Sequence, residues 1–249
     1  MMLKLNKIHG SLSTITLDVQ NIALKSGEIV GLIGANGSGK SSLIKALTKE
    51  SQLEEFDVSW NGKTAYKDEL SYIPDSLRIK KGKVEEINLL YNTLDFRWDS
   101  HYFKEQCELL NINQDDKLSN LSLGESQKLM IAIAKTTNGN LLVMDEPSDG
   151  LDPLALRHFI NGLVASQEDS KLTLIATHQI KQYENVLDRV LFLERGKILL
   201  NYTTVEIIEK GVEILTQHKA KTVDIDNFEN SKSLDNFIRA IERRNFYVR

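Results

Sequence analysis

The stretch Gly34-Ala35-Asn36-Gly37-Ser38-Gly39-Lys40-Ser41-Ser42 decides the reading of this chain. It fits G-x-x-x-x-G-K-[ST], the phosphate-binding or Walker A loop. Its flanks agree with that reading. Glu28 to Ile33 is a short apolar run of strand character leading into the loop, and Ser41 to Leu47 opens a helix with apolar residues at helical spacing. Glycines let the backbone wrap an anion so that successive N–H groups point inward, and the helix N-terminus adds unpaired donors and a positive dipole end. Lys40 is placed to reach the β- and γ-phosphates, and the Ser41 hydroxyl to ligate Mg²⁺. The stretch predicts a nucleotide triphosphate site, with Gly34, Asn36, Gly37, Ser38, Gly39, Lys40, Ser41 and Ser42 as ATP-binding candidates.

Leu141-Leu142-Val143-Met144-Asp145-Glu146-Pro147 is an apolar strand ending in two acids, a Walker B element once a Walker A loop precedes it. Asp145 is the second candidate for Mg²⁺. Glu146, one residue on, is the candidate that polarises the water attacking the γ-phosphate. Strand alternation separates the two carboxylates, so that one meets metal and the other substrate.

The remaining composition narrows the class. The chain has 249 residues, 41% of them apolar, enough for a substantial core. A formal charge of −4 argues against a non-specific nucleic-acid binder. Cys107 is the single cysteine, so there is neither a disulfide framework nor a thiolate metal cluster, which suits a reducing cytosol. The first residues lack the apolar core of a signal peptide, and no uninterrupted apolar run reaches membrane-spanning length. A soluble chain is expected, with any membrane role exerted through a partner.

In chain order, Leu3–Ile8 and Thr14–Val19 alternate as half-wet strands, with His9-Gly10 in the first turn. Residues 58–65 read as a hairpin about Asn61-Gly62. Leu70–Ile73 reads as a buried strand, and Lys83–Leu110 turns helical, with Val84, Ile87, Leu90, Tyr91, Phe103, Leu109 and Leu110 on apolar positions. Gly124–Lys135 is another helix. Asn140–Met144, Leu172–Ala176 and Val190–Leu193 are nearly all-apolar strands separated by helices, the pattern of buried parallel strands in an α/β sheet. After about Gly211 the chain reads as a polar tail ending in a short amphipathic helix, Ser233–Arg244. Its apolar face, Leu234, Phe237, Ile238 and Ile241, is expected to pack on this chain's core or on a dimer partner.

Leu121-Ser122-Leu123-Gly124-Glu125-Ser126-Gln127-Lys128 resembles the ABC signature, LSGGQ followed by a helix. Ser148-Asp149-Gly150-Leu151-Asp152-Pro153 is similar to the D-loop region, and Thr177-His178 after a buried strand to the switch histidine. With the Walker motifs in family order, the chain resembles an ABC-type ATPase subunit over roughly residues 1–210. Physics supports the signature independently. Ser122 and Gly124 at a helix start offer a second phosphate-binding end, while Ser122 with Glu125 also forms a capping box, and both readings hold together.

The resemblance implies an α/β fold: a RecA-like P-loop NTPase core, an antiparallel β lobe and a helical signature lobe at about 76–135. Residues 1–210 would be the ATPase domain and 211–249 the tail. It also implies a head-to-tail dimer, homo- or heterodimeric with another ABC ATPase, sandwiching ATP and Mg²⁺ between one subunit's Walker A loop and the other's signature. The signature residues Ser122, Leu123, Gly124 and Glu125 would then contact the partner's ATP. Asp152 would serve the D-loop, and His178 would join Glu146 as a catalytic residue at the γ-phosphate. The chain would be cytoplasmic, peripheral on the cytoplasmic face of the membrane, partnered by an integral permease, with no nucleic acid.

Several positions depart from the family pattern. Leu123 replaces a glycine, as is usual in ABC-2-type exporter ATPases. Glu125 replaces Gln, and either slows hydrolysis by its charge or points to solvent. At the Q-loop position the family's Gln is Asp75, an acid also found in lantibiotic-immunity ATPases; Asp75 either ligates Mg²⁺ through water or caps the following turn. His9 either stacks on adenine or is a surface turn histidine. Arg78, Lys80, Lys81, Phe96, Arg97, Trp98 and Tyr102 flank the groove where the family receives coupling helices, although Phe96, Trp98 and Phe103 also suit a lobe core. Residues 95–98 are similar to ABC-2 exporter ATPases of Gram-positive bacteria. Two functions follow: an ATP-hydrolysing motor for a separate exporter, or a soluble ABC ATPase acting as scaffold or regulator.

Overall fold

A computed structural model describes residues 1–12, 14–48, 53–64, 66–75, 81–94, 98–137 and 139–244. The chain opens with β1 (Met2–Leu12) and β2 (Ile15–Lys25), antiparallel from Met2 opposite Lys25 to Leu12 opposite Ile15. His9 and Gly10 therefore sit inside β1, correcting the turn expected there; the reversal falls between Leu12 and Ile15. A shift in the β1–β4 register between Leu5 and Lys7 moves the buried positions from Leu3 and Leu5 to Ile8, as a bulge does.

β3 (Ile29–Ile33) leads into the phosphate loop and α1 (Lys40–Thr48). β4 (Glu55–Trp60) then pairs with β1. Asn61 (φ 52°) and Gly62 (φ 77°) make the tight turn, but among the described residues, which do not include Ala65, the returning arm shows one bridge, Trp60 to Lys63. β5 (Leu70–Ile73) follows, then the lobe helices α2 (Val84–Leu94), α3 (Ser100–Leu109) and α4 (Leu123–Thr137). Trp98 stacks on Tyr91 at 4.7 Å and lies 5.1 Å from Phe103, making this the lobe's interior. Leu90 and Leu109, expected on the apolar face, are exposed. Residues 76–80 and 95–97, which include Arg78, Lys80, Phe96 and Arg97, lie outside the described residues.

β6 (Leu141–Asp145), α5 (Pro153–Ala165), β7 (Leu172–Thr177), α6 (Ile180–Tyr183), β8 (Arg189–Glu194) and β9 (Lys197–Thr203) complete the core. The main sheet runs β5-β6-β7-β3-β8-β9, parallel except for the antiparallel edge β9; the second sheet runs β2-β1-β4. Period-two alternation divides the core in two. Val30, Leu32, Leu141, Val143, Leu174 and Leu191 pack towards α1 and the antiparallel sheet. Ile29, Ile33, Leu142, Met144, Ile175 and Phe192 pack towards the lobe and the last helices.

The chain after β9 forms α7 (Thr204–Gln217), α8 (Thr222–Ser231) and α9 (Leu234–Glu242). A Thr203–Glu206 capping box starts α7, which runs straight through position 211, where the sequence reads as a polar tail. Leu234, Phe237, Ile238 and Ile241 are all buried in this chain's own core. Among the described residues no helix is long and apolar enough to cross a membrane.

Candidate functional site

β3, buried along its length, delivers the loop to the carboxyl edge of the parallel sheet. A Cβ on Gly34 would come within 2.3 Å of the Leu193 carbonyl oxygen, so only glycine fits there. Gly37 (φ 79°) and Gly39 (φ 108°) turn in the left-handed region and open the loop as a cradle. The Gly196 N–H donates to the Ser38 carbonyl at 2.8 Å, tying the loop to the β8–β9 turn. Lys40 is buried; its Nζ donates to the Gly34 carbonyl at 2.7 Å and lies 3.9 Å from Glu146 Oε1. Burial pulls the Lys40 pKa down, and the carboxylates of Glu146, Asp145 and Glu242 oppose this.

β6 ends at Asp145, buried with Oδ1 3.4 Å from the Ser41 hydroxyl that donates to it. Burial raises the Asp145 pKa; the Ser41 bond lowers it, and the negative charges of Asp75 and Glu146 raise it again. A buried carboxyl with a serine hydroxyl beside it and Glu146 next in the chain is a hard-oxygen donor set that fits Mg²⁺. Asp75 acts on Asp145 through its charge and is not among the residues lining the cleft. Glu146 follows with φ 47°. Its Oε1 meets His178 Nδ1 at 2.9 Å, and its Oε2 accepts from the His178 N–H at 3.3 Å.

Lys40, Ser41, Glu146 and His178 border one cleft of about 370 Å³, whose lining residues do not include Asp145. Asn36, Gly37, Gly39, Lys40, Ser41 and Ser42 line it, facing Glu146 and His178, while Gly34 and Ser38 are buried and do not. A larger, more apolar hollow of about 530 Å³ lies against α2, lined mainly by Ile87, Leu89, Leu90 and Leu118, and holds none of the Walker residues. Sequence reasoning missed three lining residues, Thr14, Ile15 and Asp149. Asp149 accepts from Gln179 Nε2 at 2.5 Å and offers a carboxylate within 4.8 Å of those of Glu146 and His178's ring nitrogen. Its position in the quoted D-loop stretch was the available signal. His9 is not among the lining residues: it lies in β1 between Asp18 (3.9 Å) and Glu54 (3.5 Å).

The signature residues stand apart from this cleft. Ser122 precedes α4, and Glu125 Oε2 accepts from the Ser122 N–H at 2.9 Å and from its hydroxyl at 2.6 Å. These bonds hold the Glu125 carboxyl below the usual range. Glu125 is exposed to solvent and completes the capping box, and it does not line the cleft of its own chain. Leu123 is exposed and packs over Gly150, and a Cβ on Gly124 would meet the Gly150 carbonyl at 2.7 Å. Asp152 caps α5, accepting from the Leu154 and Ala155 N–H groups at 3.0 and 2.9 Å.

The family model described as "ABC transporter" matches residues 17–149. An uncharacterized ABC transporter ATP-binding protein, YthP of Bacillus subtilis (strain 168), is 32% identical over 203 residues, covering 77% of this chain and 82% of the relative. The methionine import ATP-binding protein MetN of Staphylococcus saprophyticus is 28% identical over 258 residues, covering 93% and 74%. Among solved structures, an ATP-binding subunit of an ABC transporter superposes with TM-score 0.77 at 21% identity, covering 97% of this chain and all of that one (100%). The ADP conformation of the ABC cassette MJ1267 gives 0.68 at 21% identity, covering 95% and 98%. The last two likenesses speak to the fold alone. The chain belongs to the ATP-binding subunits of ABC transporters, which bind ATP with Mg²⁺ and hydrolyse it to drive transport.

Proposed function

We propose that the cleft of residues 36–42 holds the ATP phosphates and that Glu146 is the base for the attacking water. The observation that carries this reading is the placement of Glu146 on the wall opposite the loop, 3.9 Å from Lys40 Nζ and 2.9 Å from His178 Nδ1. Lys40, bonded to the loop's own carbonyl, exchanges that contact for the phosphates, and His178 holds the Glu146 carboxylate in aim. Ser41 and Asp145 would hold Mg²⁺, whose positive charge would offset that of the phosphates. Ser122 and Gly124 lie outside this cleft, which supports their serving the ATP of a second chain in a head-to-tail dimer.

The transport partner in this reading is a separate integral permease, with this chain on the cytoplasmic face. Export is the finer reading, supported by the Ser122-Leu123-Gly124 triplet. Relatives whose names read methionine import (28% identical) and tungstate uptake (30% identical) pull the other way.

Glu146→Gln keeps shape and removes the base. It is expected to lower kcat by roughly 100-fold or more while ATP still binds and an ATP-dependent dimer forms on size exclusion. Wild-type turnover together with no such dimer would overturn the reading.

A further inference from the structure

We propose that Gln127, on the signature helix, is a positioning residue for Glu146; the inference rests on Glu146 acting as the base. Gln127 is completely buried, one turn into α4, with 0% of its surface exposed. Its Nε2 donates to the Glu146 carbonyl oxygen at 3.3 Å. That carbonyl also accepts from the Asp149 N–H at 3.2 Å, while the Glu146 N–H donates to the Ala176 carbonyl at 2.8 Å. Both peptide groups of Glu146 are therefore held, one by β7 and the other by α4 and the turn that follows.

The restraint matters because Glu146 sits at φ 47°. A side chain in the left-handed region is crowded against its own backbone, and such a residue stays there only when its surroundings hold it. Any relaxation of φ turns the Cα–Cβ bond and swings the carboxylate away from His178 and from the loop. Gln127 is the side chain from outside the Asp145–Gly150 turn that bonds this peptide, among the described residues.

Stability alone does not account for an amide at this position. Gln127 Oε1 is buried with no hydrogen-bond partner among the described residues. A half-satisfied buried amide is unfavourable, and the Glu146 carbonyl would keep Asp149 as a donor if Gln127 were apolar. Methionine, of similar length and without polar atoms, would suit the packing around α4 at least as well.

The test compares Gln127→Met, Gln127→Leu, Glu146→Gln and the double variant Gln127→Met/Glu146→Gln in the full chain. Melting temperature, ATP affinity and steady-state hydrolysis are measured for each. Gln127→Met is expected to melt no lower than wild type and to bind ATP within twofold of it. Its kcat should fall about tenfold, the effect of losing one hydrogen bond that aligns the base. In the Glu146→Gln background the same change should have no further effect on the residual rate, because the group it aligns is gone. Unchanged kcat in both Gln127 variants, with Glu146→Gln inactive, would overturn this inference while leaving Glu146 as the base. A fall in kcat that persists undiminished in the double variant would also overturn it. Wild-type turnover by Glu146→Gln would remove the reading beneath it.

Discussion

At Ser122 the hydroxyl is already engaged by a carboxylate of its own helix, at 2.6 Å. A phosphate arriving at that hydroxyl meets the negative charge of Glu125, and like charges repel. Glu125→Gln keeps a capping box but loses the charge. It is expected to tighten the ATP-dependent dimer severalfold, measured by size exclusion across an ATP titration; a weaker dimer would count against the carboxylate as the repelling group. The Glu125 pKa is lowered in the fold, so its capping contribution is complete above the ordinary value of 4.5 and is lost as pH falls through the lowered one. Asp75 presents the opposite case, an added acid whose charge raises the Asp145 pKa. Asp75→Gln should retain hydrolysis yet need severalfold more Mg²⁺ for half-maximal rate. Identical Mg²⁺ half-saturation would put Asp75 outside the metal's reach and leave it a turn-capping role.

Among the elements, α9 shows how a surface-looking tail becomes core. Its four apolar side chains repeat at helical spacing, and its unpaired N-terminal Leu234 N–H is met by Glu184 Oε1 at 2.8 Å, from the residue that ends α6. Arg244, just beyond α9, pairs with Glu194 at the end of β8 at 2.5 Å. The helix thus bridges the segment after His178 and the strand end beside the phosphate loop. Burying each such apolar side chain stabilises by about 1.5–3 kcal/mol. Ending the chain at residue 230 should therefore lower the melting temperature by at least about 10 °C, followed by circular dichroism. An unchanged melting point would mean the first 230 residues hold their fold without α9.

For the whole molecule, Ser122 lies outside Lys40's cleft, and in the proposed dimer it would serve the ATP of a second chain. A partner is expected on two sides: a second ATPase chain, and a permease. Affinity purification of the full chain from membranes should bring down an integral multi-spanning protein; recovery of the ATPase alone would favour the scaffold or regulator reading. Residues 34–42 and 141–147 were legible without any structure, because phosphate binding and a buried strand end impose local patterns of glycine, lysine and acid. The buried parallel strands were legible for the same reason: continuous apolar runs suit a layer covered on both faces. The folded chain alone showed that His9 lies within a strand, that Asp149 joins the cleft and that Leu90 and Leu109 face outward. It alone brought Gln127 to the Glu146 carbonyl, nineteen positions on, and Leu234 to Glu184, fifty positions back. Such contacts follow from how helices and strands stack, and residue periodicity within one element carries no record of what its face will meet.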